Sequence, residues 1–154
     1  MNAAIPMSNS MAREEARPTL TVDVLVPNKD GELLVIRRGH APFAGMWCWP
    51  GGIVDPGESV RAAGIREVKE ETGLQVRIDK VIGIYSEPGR DPRGHFISIV
   101  LLAHPVKGTP QVTEEAPDRK WAAPEEKFEM AFDHARIRAD HQGLKAGAHD
   151  VVLA

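Results

Sequence analysis

Residues 52–74 read GIVDPGESVRAAGIREVKEETGL, and this stretch decides the fold. Val60, Gly64 and Val68 recur at i, i+4 and i+8, with Ala63 and Ile65 beside them, which is the apolar stripe of a helix over 59–72. Ser59 is suited to the N-cap, because its hydroxyl can accept from an amide of the first turn. Gly73 stands where helices often end in a left-handed residue. Gly64 inside the helix costs about 1 kcal/mol relative to alanine, and a close packing contact would explain it. Glu67, Glu70 and Glu71 then fall on one face.

Three like charges so close repel one another. Arg61, Arg66 and Lys69 could pair with them as an ordinary solvated acidic face. The alternative is a hard divalent cation, and magnesium takes a few carboxylates together with water and substrate phosphates. The setting favours the cation. Pro50-Gly51-Gly52 precedes the cluster with a backbone that a ligand can approach closely, and Asp55-Pro56-Gly57 turns the chain into Glu58 and the helix.

Outward from the helix, Thr19 to Val26 reads as a strand. Pro27 to Gly31 reads as a turn, and Leu33 to Ile36 as the return strand of a hairpin. Arg37 to Gly45 is a loop. Val76 to Tyr85 and His95 to Ala103 are β-prone, and Ser86 to Gly94 is a polar loop between them. Pro105 to Asp118 reads as loop, Arg119 to Ala122 as a short strand, and Ala131 to Gln142 as a second helix. The mixed order predicts an α/β sandwich with a mixed sheet.

The chain has 154 residues, 42% hydrophobic and 27% charged, which fits one domain over 18–154. Residues 1–17 read as a disordered lead-in without the apolar core of a signal peptide, and Met7 or Met11 is an alternative start. Net charge is −3 with no basic stripe, so nucleic acid is not an expected partner. No apolar run approaches the roughly 20 residues that span a bilayer, so no membrane partner is expected either. A single cysteine, Cys48, forms no internal disulfide and agrees with a cytoplasmic location.

Gly52, Glu58 and the run from Arg66 to Leu74 are similar to the Nudix box at every fixed position. The resemblance extends in element order over 19–142 and implies an α/β/α sandwich with a mixed β-sheet. It implies that Glu67, Glu70 and Glu71 are metal ligands and that the Gly51 carbonyl joins them. Arg66 and Glu58 then orient the ligand helix. The cofactor implied is Mg2+, with Mn2+ as a substitute, and the reaction is hydrolysis of a pyrophosphate. A cation there offsets the polyanionic charge and acidifies a bound water. The proton acceptor is a box glutamate or a carboxylate of a distant loop, with Glu114, Glu115 and Asp118 as candidates, although all three also read as a solvated acidic loop.

The substrate must be read outside the box. Pro88, followed by Asp91-Pro92-Arg93-Gly94-His95, resembles the ADP-ribose pyrophosphatase branch, as does Ala131-Phe132-Asp133-His134-Ala135. Arg90, Arg93 and His95 could grip phosphate or ribose oxygens, or the loop could be a tight turn closed by Asp91 and Arg93. Arg37 and Arg38 end a strand beside the glycine-rich loop and could touch the pyrophosphate, or one of them could face solvent. Phe43, Trp47 and Trp49 could stack on a base or serve the core. Trp49 departs from the aliphatic residue or Phe that usually precedes Pro-Gly-Gly in the family. The remaining histidines, His134 and His149 among them, show no metal-ligand spacing. The small-molecule substrate implied is ADP-ribose, cleaved to AMP and ribose 5-phosphate. The alternatives are an oxidised nucleoside triphosphate, a dinucleoside polyphosphate, NADH, or a sensor that binds ADP-ribose without turnover. The resemblance also allows a homodimer.

Overall fold

The computed structural model describes residues 16–145 and 151–154. The expected lead-in, apart from its last two residues, lies outside them, as do both alternative starts and His149.

A five-stranded mixed sheet forms the centre, in the order β4 (Gly51–Ile53), β1 (Thr19–Leu25), β6 (Phe96–Lys107), β5 (Gln75–Tyr85) and β8 (Val152–Leu153). The β1–β6 and β5–β8 pairs are parallel and the other two antiparallel. Beside it lies a three-stranded antiparallel sheet, in the order β3 (Trp47–Cys48), β2 (Leu33–Arg37) and β7 (Asp118–Ala122).

Side chains alternate across a strand, and this alternation divides the core. Val22 and Val24 join Ile78 and Leu101 under helix α1 (Val60–Thr72), which contributes Ala63 and Val68. Leu25 and Val100 face the other way, with Ile82 and Tyr85, toward Ile137 of helix α2 (His134–Lys145). The result is the α/β/α sandwich with a mixed sheet. Asp23 shares the side of Leu25, which matters below.

Helix α1 forms where its pattern predicts. Ser59 Oγ accepts from the Ala62 amide at 3.1 Å, and Gly73, at φ 73°, donates back to Lys69. A methyl on Gly64 would meet Leu101 Cδ1 at 2.9 Å, so close packing against β6 accounts for that glycine. Among the described residues, no helix is long and apolar enough to cross a membrane.

Several expectations need correction. The strands β1 and β2 are not a hairpin. The turn is present, with a bridge between Pro27 and Leu33, but beyond it the two strands diverge into different sheets. Both are buried on both faces, so the turn signal could not tell which neighbours each would take. Strand β6 runs on to Lys107 through Pro105, which lies beside a shift of register between Gln75 and Val76. Proline lacks an amide donor and is tolerated at such irregularities. Helix α2 begins at His134 rather than Ala131, because Phe132 takes a left-handed backbone at φ 52°.

Candidate active site

The box helix presents its carboxylates at the open edge of β4. Glu67 and Glu71 are each 9% exposed, whereas Glu70 is exposed. One guanidinium organises the group. Arg66 Nε and Nη2 donate to the two oxygens of Glu58 at 2.7 and 2.9 Å. Its Nη1 donates to Glu67 Oε1 at 2.7 Å and to Glu70 Oε2 at 3.2 Å, and Nη2 also reaches the Ile53 carbonyl. Arg66 therefore ties the helix to β4 and to the turn before it.

Glu71 Oε1 accepts from the Gly51 amide at 2.8 Å. Gly51 is sterically required, and Gly52 leaves room for the Glu67 carboxylate. A side chain on Gly51 would run into the Val22 carbonyl and Asp23, and one on Gly52 into the Glu67 carboxylate.

These environments push the acids in opposite directions. The Arg66 hydrogen bonds hold Glu58 down to about 2. Burial raises Glu67, against the pull of Arg66. Burial pushes Glu71 up to about 8, opposed by the Gly51 amide and reinforced by the charges of Glu67, Glu115 and Asp23. Among the described residues, no three acidic, imidazole or thiol side chains converge on one ion position. Glu67 and Glu70 are turned toward Arg66, and Glu71 toward Gly51.

A cleft open to solvent runs from Gly51, Gly52 and Glu71 past Arg38 and Phe132 to the loop holding Arg90. Arg38 lies over the Phe132 ring at 4.9 Å and donates through Nε to the Pro42 carbonyl. Its Nη2 is buried with no hydrogen-bond partner. Arg37 is turned away, pairing with the Gly45 carbonyl and Asp118 and lying over Trp47.

Arg90 is bound by both oxygens of Asp133 at 2.9 and 2.6 Å, and Arg93 closes a turn on Asp91. Both guanidiniums line the cleft, each already engaged by a carboxylate. His95 contacts the Ser86 carbonyl and does not line the cleft. Glu114 is exposed, and Glu115 is close enough to raise Glu67 and Glu71. Phe43 packs edge-on to Phe132 at 4.9 Å. Cys48 is buried, and burial raises its thiol.

The sequence reading missed a buried network on the cleft floor. Ser98 Oγ donates to Asp23 Oδ2 at 2.5 Å, and His134 Nε2 lies 3.4 Å from Asp23 Oδ1. His134 Nδ1 accepts from the Trp49 amide at 3.1 Å, while Trp49 Nε1 donates to the His134 carbonyl. The available signal was Asp23 itself, an acid between two buried valines of β1.

The NUDIX domain family matches residues 17–141. The chain is 39% identical over 130 residues to an ADP-ribose pyrophosphatase of Methanocaldococcus jannaschii, covering 84% of this chain and 76% of that protein. It is 30% identical over 148 residues to a MutT-like protein of Streptomyces ambofaciens, covering 92% of each. The NUDIX domain of Shewanella oneidensis NrtR, solved with ADP ribose, has the same fold. The TM-score is 0.75 at 22% identity, over 92% of this chain and 99% of that one. With a sandwich of this kind and a complete box at the mouth of a cleft, the chain belongs to the Nudix family and is a Nudix pyrophosphohydrolase.

Proposed function

We propose that the enzyme hydrolyses the pyrophosphate of ADP-ribose to AMP and ribose 5-phosphate, using Mg2+, with Mn2+ able to replace it. The observation that carries the metal is the charge balance on α1. Arg66 is shared by Glu58, Glu67 and Glu70, and Glu71 has only the Gly51 amide. A buried carboxylate pushed up to about 8 is uncompensated, and hard oxygen donors suit a hard divalent cation. Glu67, Glu70 and Glu71 would hold it, with the Gly51 carbonyl beside them. When bound, such an ion offsets pyrophosphate charge and acidifies a water.

The chain's own residues do the rest. Arg66 and Glu58 fix the helix that carries the ligands. Arg38 lines the cleft near Glu71 and brings it a guanidinium that suits a phosphate. Arg90 and Arg93, already engaged by Asp133 and Asp91, shape the cleft wall and present the remaining edges of their forks to a ligand. Glu115, beside the box carboxylates, is the better placed of the two loop acids to accept a proton.

The choice of ADP-ribose rests on the Methanocaldococcus relative together with the loop from Pro88 to His95. The test is hydrolysis of ADP-ribose beside an oxidised nucleoside triphosphate, a dinucleoside polyphosphate and NADH, each at equal concentration. The highest kcat/KM on ADP-ribose supports the assignment. Preference for another member keeps the box chemistry and rejects the substrate. Binding of ADP-ribose without turnover would make the chain a sensor.

A further inference from the structure

Asp23 is a buried carboxylate that neither the box nor the core accounts for. It is 8% exposed, it lines the cleft, and it stands opposite Gly51 in the β1–β4 pairing. Its oxygens are only partly filled by its neighbours. The Trp49 amide can only donate, so His134 Nδ1 must accept, and the proton sits on Nε2 facing Asp23. Burial lowers that imidazole's pKa, against the pull of the Asp23 and Asp133 charges. The nearby Arg90 gives Nε and Nη2 to Asp133.

An ionised carboxylate has about four acceptor sites, and here two are used. The Ser98 contact is tight, but the His134 contact, at 3.4 Å, lies beyond ordinary hydrogen-bond length. Oδ1 is the freer oxygen, and it lies on the side of Gly51, where an added side chain would meet it at 2.9 Å. Leaving a buried carboxyl oxygen without a full set of donors is costly.

We propose that Asp23 is a specificity-determining residue. In this assignment, which rests on the nucleotide reading of the same cleft, Asp23 accepts a hydrogen bond from a ribose hydroxyl beside the scissile pyrophosphate. Ser98 and His134 are its positioning residues. A phosphate oxygen would be repelled at Oδ1, whereas a hydroxyl donor is attracted. The sugar is the first group attached to the phosphates, and Asp23 lies across β4 from the Glu71 end of the cleft. Acidic residues select ribose hydroxyls by the same chemistry in dinucleotide-binding folds.

The experiment compares ADP-ribose with its two 2′-deoxy analogues, one on the adenosine side and one on the distal ribose, for the wild type, Asp23→Asn and Ser98→Ala. The wild type should favour ADP-ribose over one analogue by about tenfold or more in kcat/KM, the worth of a hydrogen bond to a charged group. Asp23→Asn should lose this preference to within about twofold, chiefly through KM. A wild type that treats all three compounds alike overturns the proposal, as does an Asp23→Asn enzyme that loses activity but keeps the preference. If Asp23→Asn does not fold, Ser98→Ala decides, because it loosens the carboxylate without removing it. A reduced preference supports the role, and an unchanged one overturns it. If ADP-ribose is not a substrate, the ribose and deoxyribose forms of whichever nucleotide is hydrolysed take its place. Failure of the substrate is then separate from failure of Asp23.

Discussion

The Gly51 amide donates to Glu71 Oε1 at 2.8 Å and so fastens the last turn of the box helix to the edge strand of the central sheet. Glu71→Gln keeps the size of the side chain and an oxygen that can still accept this bond, but it removes the charge. Glu71→Gln and Glu67→Gln should each lower kcat by more than about a hundredfold, since even supporting residues of metal sites cost 10- to 100-fold. Their melting temperatures should stay near or above that of the wild type, because each removes a raised, buried carboxylate. Retained activity in both would reject these residues as ligands.

Arg38 lines the cleft and donates through Nε to a backbone carbonyl, whereas Arg90 and Arg93 are bound by Asp133 and Asp91. Arg38→Lys keeps the charge but loses the planar fork that matches phosphate. KM should rise by about tenfold with a smaller change in kcat, as for loss of uniform binding. Steady-state kinetics on ADP-ribose would show it, and an unchanged KM would remove Arg38 from the binding site.

Gly64→Ala sets two effects against each other. The helix gains about 1 kcal/mol from alanine. The new methyl, however, meets Leu101 Cδ1 at 2.9 Å in a packed core, where overpacking costs about 1–3 kcal/mol. The packing cost should win, for a net loss of about 1 kcal/mol, read as a lower urea midpoint at unchanged slope.

Glu58 supplies a pH dependence of known sign. Its folded value, about 2, lies below the roughly 4.3 of an unfolded glutamate. The stability it adds is therefore present above about pH 4.3 and is lost as the pH falls toward 2. Urea midpoints of wild type and Glu58→Gln should differ near pH 6 and converge near pH 2. A constant gap across that range would exclude the Arg66 pair as its origin.

What the sequence made legible was local. Ser59, Gly73 and the acidic face of α1 lie within a few residues of the groups they serve, so spacing alone located them. The contacts that spacing could not reveal span the chain. Trp49 meets His134 across 85 residues, Ser98 meets Asp23 across 75, and Arg90 meets Asp133 across 43. Arg90 and Arg93 were legible as a basic loop. The Asp91–Arg93 turn was legible as well, but the engagement of Arg90 by Asp133 depended on where α2 begins, and that start was shifted by the left-handed Phe132. The division of β1 and β2 between two sheets was hidden for a related reason, since strands buried on both faces carry no alternation to reveal their neighbours.

The most direct test is AMP release from ADP-ribose by the wild-type protein as magnesium is titrated from an EDTA-treated start. The expected result is no AMP without metal, saturable activity as magnesium is added, and AMP and ribose 5-phosphate in equal amounts. Cleavage that persists undiminished in EDTA, or tight metal-dependent binding of ADP-ribose without product, would contradict it.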